Sequence, residues 1–142
     1  MSQSEIKKIL SKSKTIAVVG LSREPDKDSY RVAAYLKKQG FRIVPVNPLA
    51  DEILGEKSYT SLLDIPVEIQ KTLDVVDVFR PAKDVPAIVE QAVKLKAMHG
   101  RPRVVWMQLG IVNAQAAETT RKAGLTVVMD KCMMVEHKRL CS

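Results

Sequence analysis

The side chains of this chain that could perform chemistry are few and widely spaced. The two cysteines, Cys132 and Cys141, are too few and too close in sequence to indicate a disulfide scaffold, and they form no CxxC pair. The two histidines, His99 and His137, are far apart and match no HxxxH pattern. Because a zinc site needs three or four such ligands at short spacings, we expect no metal site.

The most informative stretch for chemistry is GLSREPDKDSY, which begins at Gly20 after a short apolar run. A glycine here can let the backbone turn close to a ligand. The stretch lacks the later glycines of GxGxxG, and the chain contains no GxxxxGK[ST] phosphate loop. Glu24 replaces the second glycine of a GxSxG nucleophile elbow. The sequence therefore predicts a binding loop without a catalytic residue, with a tight turn that binds nothing as the alternative.

The loop at residues 21–28 is longer than a dinucleotide turn requires. It brings Ser22, Lys27 and the backbone N–H groups near Ser29 and Tyr30 towards one place. A helix N-terminus there offers free N–H groups and a positive dipole end to a phosphate. Lys27 would add a point charge, unless it is simply a solvated lysine.

Short apolar runs alternate along the chain with longer segments of helical spacing. Strands are predicted at residues 15–20, 42–46, 74–79, 103–108 and 125–129, and helices at 4–12, 29–39, 84–98 and 113–123. Ser29 and Asn113 are the predicted N-caps, and Gly40 and Gly124 the predicted helix stops. Residues 1–142 are therefore predicted to form one α/β domain, a Rossmann-like doubly wound fold with a mainly parallel five-stranded sheet flanked by helices.

In a doubly wound sheet the ligand crevice lies beyond the carboxyl ends of the strands. The residues at those ends are Gly20-Leu21-Ser22, Val46-Asn47-Pro48, Phe79-Arg80-Pro81, Gln108-Leu109-Gly110 and Met129-Asp130-Lys131-Cys132. NAD usually requires an acidic residue after the second strand, and NADP an arginine near it. Asn47 occupies the first position, and Arg42 lies at the wrong end of that strand. Neither nicotinamide cofactor fits this pattern well.

The chain is basic, with 23 Lys and Arg against 16 Asp and Glu and a formal charge of +7. This balance is compatible with a polyanionic ligand, with nucleic acid or with an ordinary solvated surface. The basic residues are scattered and aromatic residues are only 4%, which disfavours nucleic acid. No apolar stretch approaches the ~20 residues that span a bilayer, and the charged N-terminus does not resemble a signal peptide. We therefore expect a cytoplasmic protein with no membrane or nucleic-acid partner.

The order and spacing of eight motifs point to one known family. These motifs are AVVGLS (17–22), SYRVAAYLKKQGF (29–41), IVPVNP (43–48), ILGEKSYTSLLDIP (53–66), VVDVFRP (75–81), DVPAIVEQA (84–92), VVWMQLGI (104–111) and AGLTVVMDKCMMVEH (123–137). Together they resemble the small single-domain CoA-binding proteins, relatives of the CoA-binding domain of the succinyl-CoA synthetase α subunit. The resemblance covers residues 6–140 and implies that the strand-end loops hold the adenosine and phosphates of coenzyme A.

The resemblance also implies a position for each binding residue. It assigns Gly20, Leu21 and Ser22 to the first loop, and Lys27, Ser29 and Tyr30 to the phosphates. It assigns Val46, Asn47 and Pro48 to the second loop, and Phe79, Arg80 and Pro81 to a loop on the adenine side. The fourth loop, beneath the pantetheine arm, consists of Gln108, Leu109, Gly110 and Ile111. From the residues alone, Arg80 could contact the ligand or form a surface ion pair with Asp84. Cys132 could exchange with CoA to form a mixed disulfide, or be a small buried residue.

The function implied is that of a binding module for CoA or acyl-CoA without catalytic residues of its own. The synthetase α subunit carries its phosphorylated histidine in a second domain, and His99 and His137 match no motif of that domain. Two enzymatic alternatives stay open: a nicotinamide-dependent oxidoreductase, and the CoA-binding part of an acyl-CoA ligase completed by a partner chain. The prevalence of twofold-symmetric oligomers makes a homodimer an expectation.

Overall fold

A computed structural model describes residues 1–141 of the chain. Its strands are β1 (Thr15–Val19), β2 (Arg42–Val46), β3 (Glu52–Ile53), β4 (Glu56–Lys57), β5 (Val75–Val78), β6 (Val104–Met107) and β7 (Thr126–Val128). Five of them form a sheet in the order β2-β1-β5-β6-β7, in which every neighbouring pair is parallel. The short strands β3 and β4 form a separate antiparallel hairpin. The predicted α/β doubly wound fold is confirmed.

Helices cover both faces of this sheet, which explains why its strands are apolar on both sides. They are α1 (Gln3–Lys12), α2 (Asp28–Lys38), α3 (Val67–Gln70), α4 (Val85–His99), α5 (Ala114–Lys122) and α6 (Met133–Cys141). On one face, α1, α2 and α6 contribute side chains to a core with Ile16, Val18 and Trp106. On the other face, α4 and α5 pack over Ala17 and Val105. No helix between residues 1 and 141 has both the length and the apolar character needed to cross a bilayer.

The predicted helix ends are confirmed with one exception. Asn113 caps α5, because its side chain accepts a hydrogen bond from the Ala116 N–H at 2.9 Å. The prediction that Ser29 caps α2 is wrong: the capping position is Lys27, which makes no side-chain capping bond. Ser29 lies two residues further in, and its Oγ accepts a hydrogen bond from the backbone N–H of Ser22 at 2.9 Å. The hydroxyl therefore holds the preceding loop against the helix.

Three short elements were not predicted from the sequence: the β3–β4 hairpin, α3 and α6. The hairpin strands have two residues each and α3 has four. Isolated segments of this length are marginal in water, so tertiary packing decides whether they form. Helix α6 packs against α1 and α2. Its buried residues are Met133 and Glu136, and one apolar residue with one acidic residue does not stand out as the apolar face of a helix.

A buried carboxylate, Asp74, ties together the amino ends of the central strands. Its Oδ2 accepts hydrogen bonds from the backbone N–H groups of Lys14 (2.8 Å) and Thr15 (3.1 Å). Its Oδ1 pairs with the guanidinium groups of Arg101 and Arg103. Burial raises the pKa of Asp74, but these donors and charges outweigh that effect and leave the pKa below its usual value. The carboxylate thus satisfies backbone groups at the start of β1.

A second buried carboxyl, Asp77, lies in the middle of β5 and is entirely inaccessible to solvent. Its Oδ1 accepts a hydrogen bond from Gln108 Nε2 at 2.5 Å, and its Oδ2 has no partner within residues 1–141. The Gln108 Oε1 accepts a hydrogen bond from the Met133 N–H at 3.2 Å, which joins the sheet to the start of α6. Burial raises the pKa of Asp77 to about 7, and the bond from Gln108 offsets part of that rise.

This raised pKa makes the stability depend on pH. Between about pH 4 and pH 7 the folded protein keeps Asp77 protonated while the unfolded chain ionises it, so stability falls by about 1.4 kcal/mol per pH unit from this group. The Asp77→Asn variant has an uncharged side chain at every pH, so it lacks this contribution to the pH dependence of stability. From urea denaturation, we expect the variant to gain roughly 2 kcal/mol relative to the unmodified chain between about pH 5 and pH 7. A constant difference between the two proteins over that range would contradict the prediction.

Candidate functional site

The strand order reverses direction between β1 and β5, because the chain moves from β1 outward to β2 and then returns to the other side of β1. At such a switch point the loops diverge and leave a crevice beyond the carboxyl ends of the strands. A cleft of about 690 Å³ lies there. Its walls come from the ends of β1, β2 and β5 and from the start of α4, as the lining residues show: Val19, Gly20, Ser22, Arg23, Glu24, Val46, Asn47, Pro48, Leu49, Thr60, Arg80, Lys83, Asp84, Ala87 and Ile88. We call this the switch-point cleft.

Gly20 is the residue at which β1 leaves the sheet. Its φ is +88°, in the left-handed region that favours glycine. A Cβ at this position would lie 2.7 Å from the Phe79 carbonyl oxygen and 2.9 Å from the Arg80 Cδ. Its N–H donates to the Val46 carbonyl at 2.9 Å. Gly20 is therefore in contact with the ends of both neighbouring strands, and only a residue without a side chain fits.

Asn47 joins the first two loops of the cleft. Its Nδ2 donates to the Leu21 carbonyl at 2.9 Å, and its Oδ1 accepts from the Leu49 N–H at 2.8 Å. Both ends of the amide are thus bonded within the protein. Asn47 lines the cleft, but its side chain holds the loops in place.

The charged side chains of the switch-point cleft are three cations, Arg23, Arg80 and Lys83, and two carboxylates, Glu24 and Asp84. Arg80 lines the cleft and pairs with Asp84, with 2.9 Å between Nη2 and Oδ2, so the predicted surface ion pair is confirmed and contact of Arg80 with a ligand stays a prediction. The Arg80 side chain is 52% exposed. Exposed ion pairs contribute little to stability, so the guanidinium can turn towards an anion at small cost.

A second, smaller cavity of about 340 Å³ lies over the carboxyl ends of β5 and β6, between α2 and α6. We call it the apolar pocket, and its lining residues are Asp28, Arg31, Val32, Phe79, Gln108, Leu109, Ile111, Cys132, Met134 and Val135. Cys132 is partly exposed here, which differs from the expectation of a small buried residue. The chain reverses at Asp130, whose φ is +61°, and this turn carries Cys132 to the edge of the pocket.

The predicted site residues thus divide into three groups. The switch-point cleft contains Gly20, Ser22, Val46, Asn47, Pro48 and Arg80. The apolar pocket contains Phe79, Gln108, Leu109, Ile111 and Cys132. The remaining six line neither cavity: Leu21, Lys27, Ser29, Tyr30, Pro81 and Gly110. Leu21 and Ser29 are buried and Lys27 is exposed at the start of α2.

Several residues of the switch-point cleft were not identified from the sequence. Arg23 follows directly after the strand-end motif Gly20-Leu21-Ser22, and Lys83 lies three residues beyond Arg80, so extending each strand-end motif would have included them. Thr60 lies in the family motif at residues 53–66, but it follows no predicted strand, because it comes from the irregular segment at residues 48–73. A parallel bridge between Val46 and Tyr59 brings that segment beside the end of β2.

The close approach at Gly20 generates a prediction about stability. Gly20→Ala should lower the free energy of unfolding by about 1–2 kcal/mol for the backbone strain, with roughly 1–3 kcal/mol more for the clash with Phe79. Gly124→Ala is the matched control, because Gly124 has a φ of +85° and no atom within 4 Å of an added Cβ. Urea denaturation measures both losses. Equal losses would show that the contact with Phe79 is unimportant.

Comparisons with known proteins identify relatives of this chain. The family model described as "CoA binding domain" matches residues 14–138. The protein YneT of Bacillus subtilis (strain 168) is 42% identical over 136 residues, which cover 96% of this chain and 94% of that protein. A solved structure, a hypothetical protein from Pyrococcus horikoshii OT3, has a TM-score of 0.90 at 40% identity, over 100% of this chain and 94% of that one.

A longer relative shares only part of its length with this chain. The acetate–CoA ligase (ADP-forming) II of Archaeoglobus fulgidus is 42% identical over 80 residues, which are 55% of this chain and 11% of the ligase. The match to the family model covers most of the chain, as does the match to YneT. This chain therefore belongs to the CoA-binding domain family.

Proposed function

We propose that this chain binds coenzyme A through its adenosine and phosphates in the switch-point cleft, as a binding module without catalytic residues of its own. The observation that carries the proposal is the position of the cleft in a chain of this family. It lies at the carboxyl ends of β1, β2 and β5, where doubly wound folds bind nucleotides, and six of the residues expected to bind CoA line it.

The charges of the cleft support a phosphorylated ligand. Arg23, Arg80 and Lys83 outnumber Glu24 and Asp84 among its lining residues. CoA carries a diphosphate and a separate ribose phosphate. Several cations distributed around one cleft suit such a ligand better than a single point charge does.

The end of β2 argues against a nicotinamide dinucleotide. In dinucleotide-binding folds a carboxylate after the second strand accepts hydrogen bonds from the ribose hydroxyls. Asn47 lies there, and both ends of its amide are bonded to Leu21 and Leu49. The acidic residues of the cleft, Glu24 and Asp84, come from the loops after β1 and β5. An oxidoreductase stays the second candidate and is tested by the same experiment.

Ligase chemistry would need groups from elsewhere. His99 lies at the end of α4, where its Nε2 is 2.9 Å from Gln70 Oε1, and His137 lies on α6, where its Nδ1 is 2.8 Å from the Tyr35 hydroxyl. Neither histidine lines the switch-point cleft or the apolar pocket. A phosphorylated histidine acting on CoA would therefore have to come from another domain or a partner chain.

Isothermal titration with CoA, NAD and NADPH tests the proposal. We expect saturable binding of CoA alone. Arg80→Glu should weaken CoA binding by at least about tenfold, because it replaces a phosphate partner with a repelling charge. Arg121→Glu is the matched control: it makes the same change of charge at an exposed arginine of α5 that lines neither cavity.

The titration also separates the competing functions. Tighter binding of NAD or NADPH than of CoA would favour an oxidoreductase and overturn the proposal. An equal loss of CoA affinity in the two arginine variants would place the phosphates outside the switch-point cleft, since only the net charge would then matter.

A mixed disulfide between Cys132 and CoA stays a prediction. Cys132 is partly exposed and lines the apolar pocket, so its thiol can be reached. Incubation with oxidised CoA followed by intact-mass measurement should show a single CoA adduct that Cys132→Ser abolishes. The absence of an adduct in the unmodified chain would reject the hypothesis.

A further inference from the structure

We propose that the ligand of this site is a CoA thioester whose apolar acyl chain lies in the apolar pocket. The proposal rests on the binding of CoA proposed above and adds the class of acyl group. It follows from the position of the pocket beside the cleft, from the chemistry of its wall and from the exposure of its rim.

Consecutive residues at the end of β5 line the two cavities. Arg80 lines the switch-point cleft and the preceding residue, Phe79, lines the apolar pocket. Gly20 packs against both residues, so the two cavities lie on either side of the backbone at this point. A ligand with phosphates beside Arg80 can therefore cross the carboxyl ends of β5 and β6 and place its other end in the pocket.

The side chains of the pocket wall offer few free hydrogen-bonding groups to a ligand. Gln108 lies at its base, but its Nε2 donates to Asp77 and its Oε1 accepts from the Met133 N–H. Asp28 and Arg31 are bonded to each other. Most of the other lining residues are apolar, namely Val32, Phe79, Leu109, Ile111, Met134 and Val135. These side chains offer few partners to the two amides of the pantetheine arm, whereas an alkyl chain would lose nothing by burial among them.

The rim of the pocket exposes apolar surface. Leu109 is 70% exposed and Val135 is 49% exposed, and both line the same cavity. Grouped exposed apolar side chains around a cavity mark a site that a ligand or partner covers. Because the switch-point cleft is adjacent at Phe79–Arg80, the group that covers this rim in our proposal is the acyl end of the CoA ligand.

Titration with CoA, acetyl-CoA, butyryl-CoA and hexanoyl-CoA tests the inference. Each methylene buried in the pocket should raise the affinity by about two- to fourfold. The readout is the ratio of acyl-CoA affinity to CoA affinity within one protein, which cancels any effect on the phosphates.

A pair of valine variants locates the acyl chain. Val135→Asp puts a charge on the wall of the pocket and should remove the dependence on chain length. Val67→Asp is the matched control, because Val67 is 48% exposed, lies in the first turn of its helix and lines neither cavity. This control should keep the full dependence on chain length.

The outcomes distinguish the two proposals. Saturable binding of CoA with no gain in affinity for longer acyl groups would overturn the acyl pocket and leave CoA binding intact. A gain that survives Val135→Asp would also overturn it, because the acyl chain would then lie elsewhere. Failure of CoA and of every thioester to bind would overturn both proposals.

Discussion

The backbone at Gly20 is the constraint on which the rest of this site depends. β1 is paired on both sides, and its chain must leave the sheet between the ends of β2 and β5. It does so through a positive φ, so close to the Phe79 carbonyl and the Arg80 side chain that an added Cβ would clash with both. This contact fixes where Arg80 enters the switch-point cleft and where Phe79 enters the apolar pocket. The polar and apolar halves of the site are therefore positioned by one residue that has no side chain.

Hydrogen bonds between side chains and backbone then connect the strand-end loops. Asn47 joins the second loop to the first, and Ser29 holds the first loop against α2. Asp130 accepts a hydrogen bond from the Gly110 N–H at 2.7 Å, and the Trp106 indole donates to the Lys131 carbonyl at 2.8 Å. A site held by several such bonds is preorganised, so less conformational entropy is lost when a ligand binds. Residues that sequence reasoning assigns to a ligand can thus act by positioning the loops.

The strands and long helices could be predicted because burial on both faces leaves a clear apolar pattern. The strand ends followed from them, which is why Gly20 and Arg80 were placed at one edge of the sheet. Helix α6 and Thr60 could not be predicted, because tertiary packing and an irregular segment bring them into position. The role of Ser29 was misassigned for a related reason: a serine near a helix start can cap the helix or bond to a neighbouring loop, and only the three-dimensional path of residues 21–28 decides between them.

The central claim is that CoA occupies the carboxyl end of the sheet, with its phosphates in the switch-point cleft. A two-dimensional NMR titration of the isotope-labelled protein with CoA tests it most directly, because it reports on each backbone amide. The account predicts that the amides of Gly20, Ser22 and Arg80 shift and saturate together. Shifts confined to the opposite end of the sheet, around Lys14 and Arg103, would contradict it.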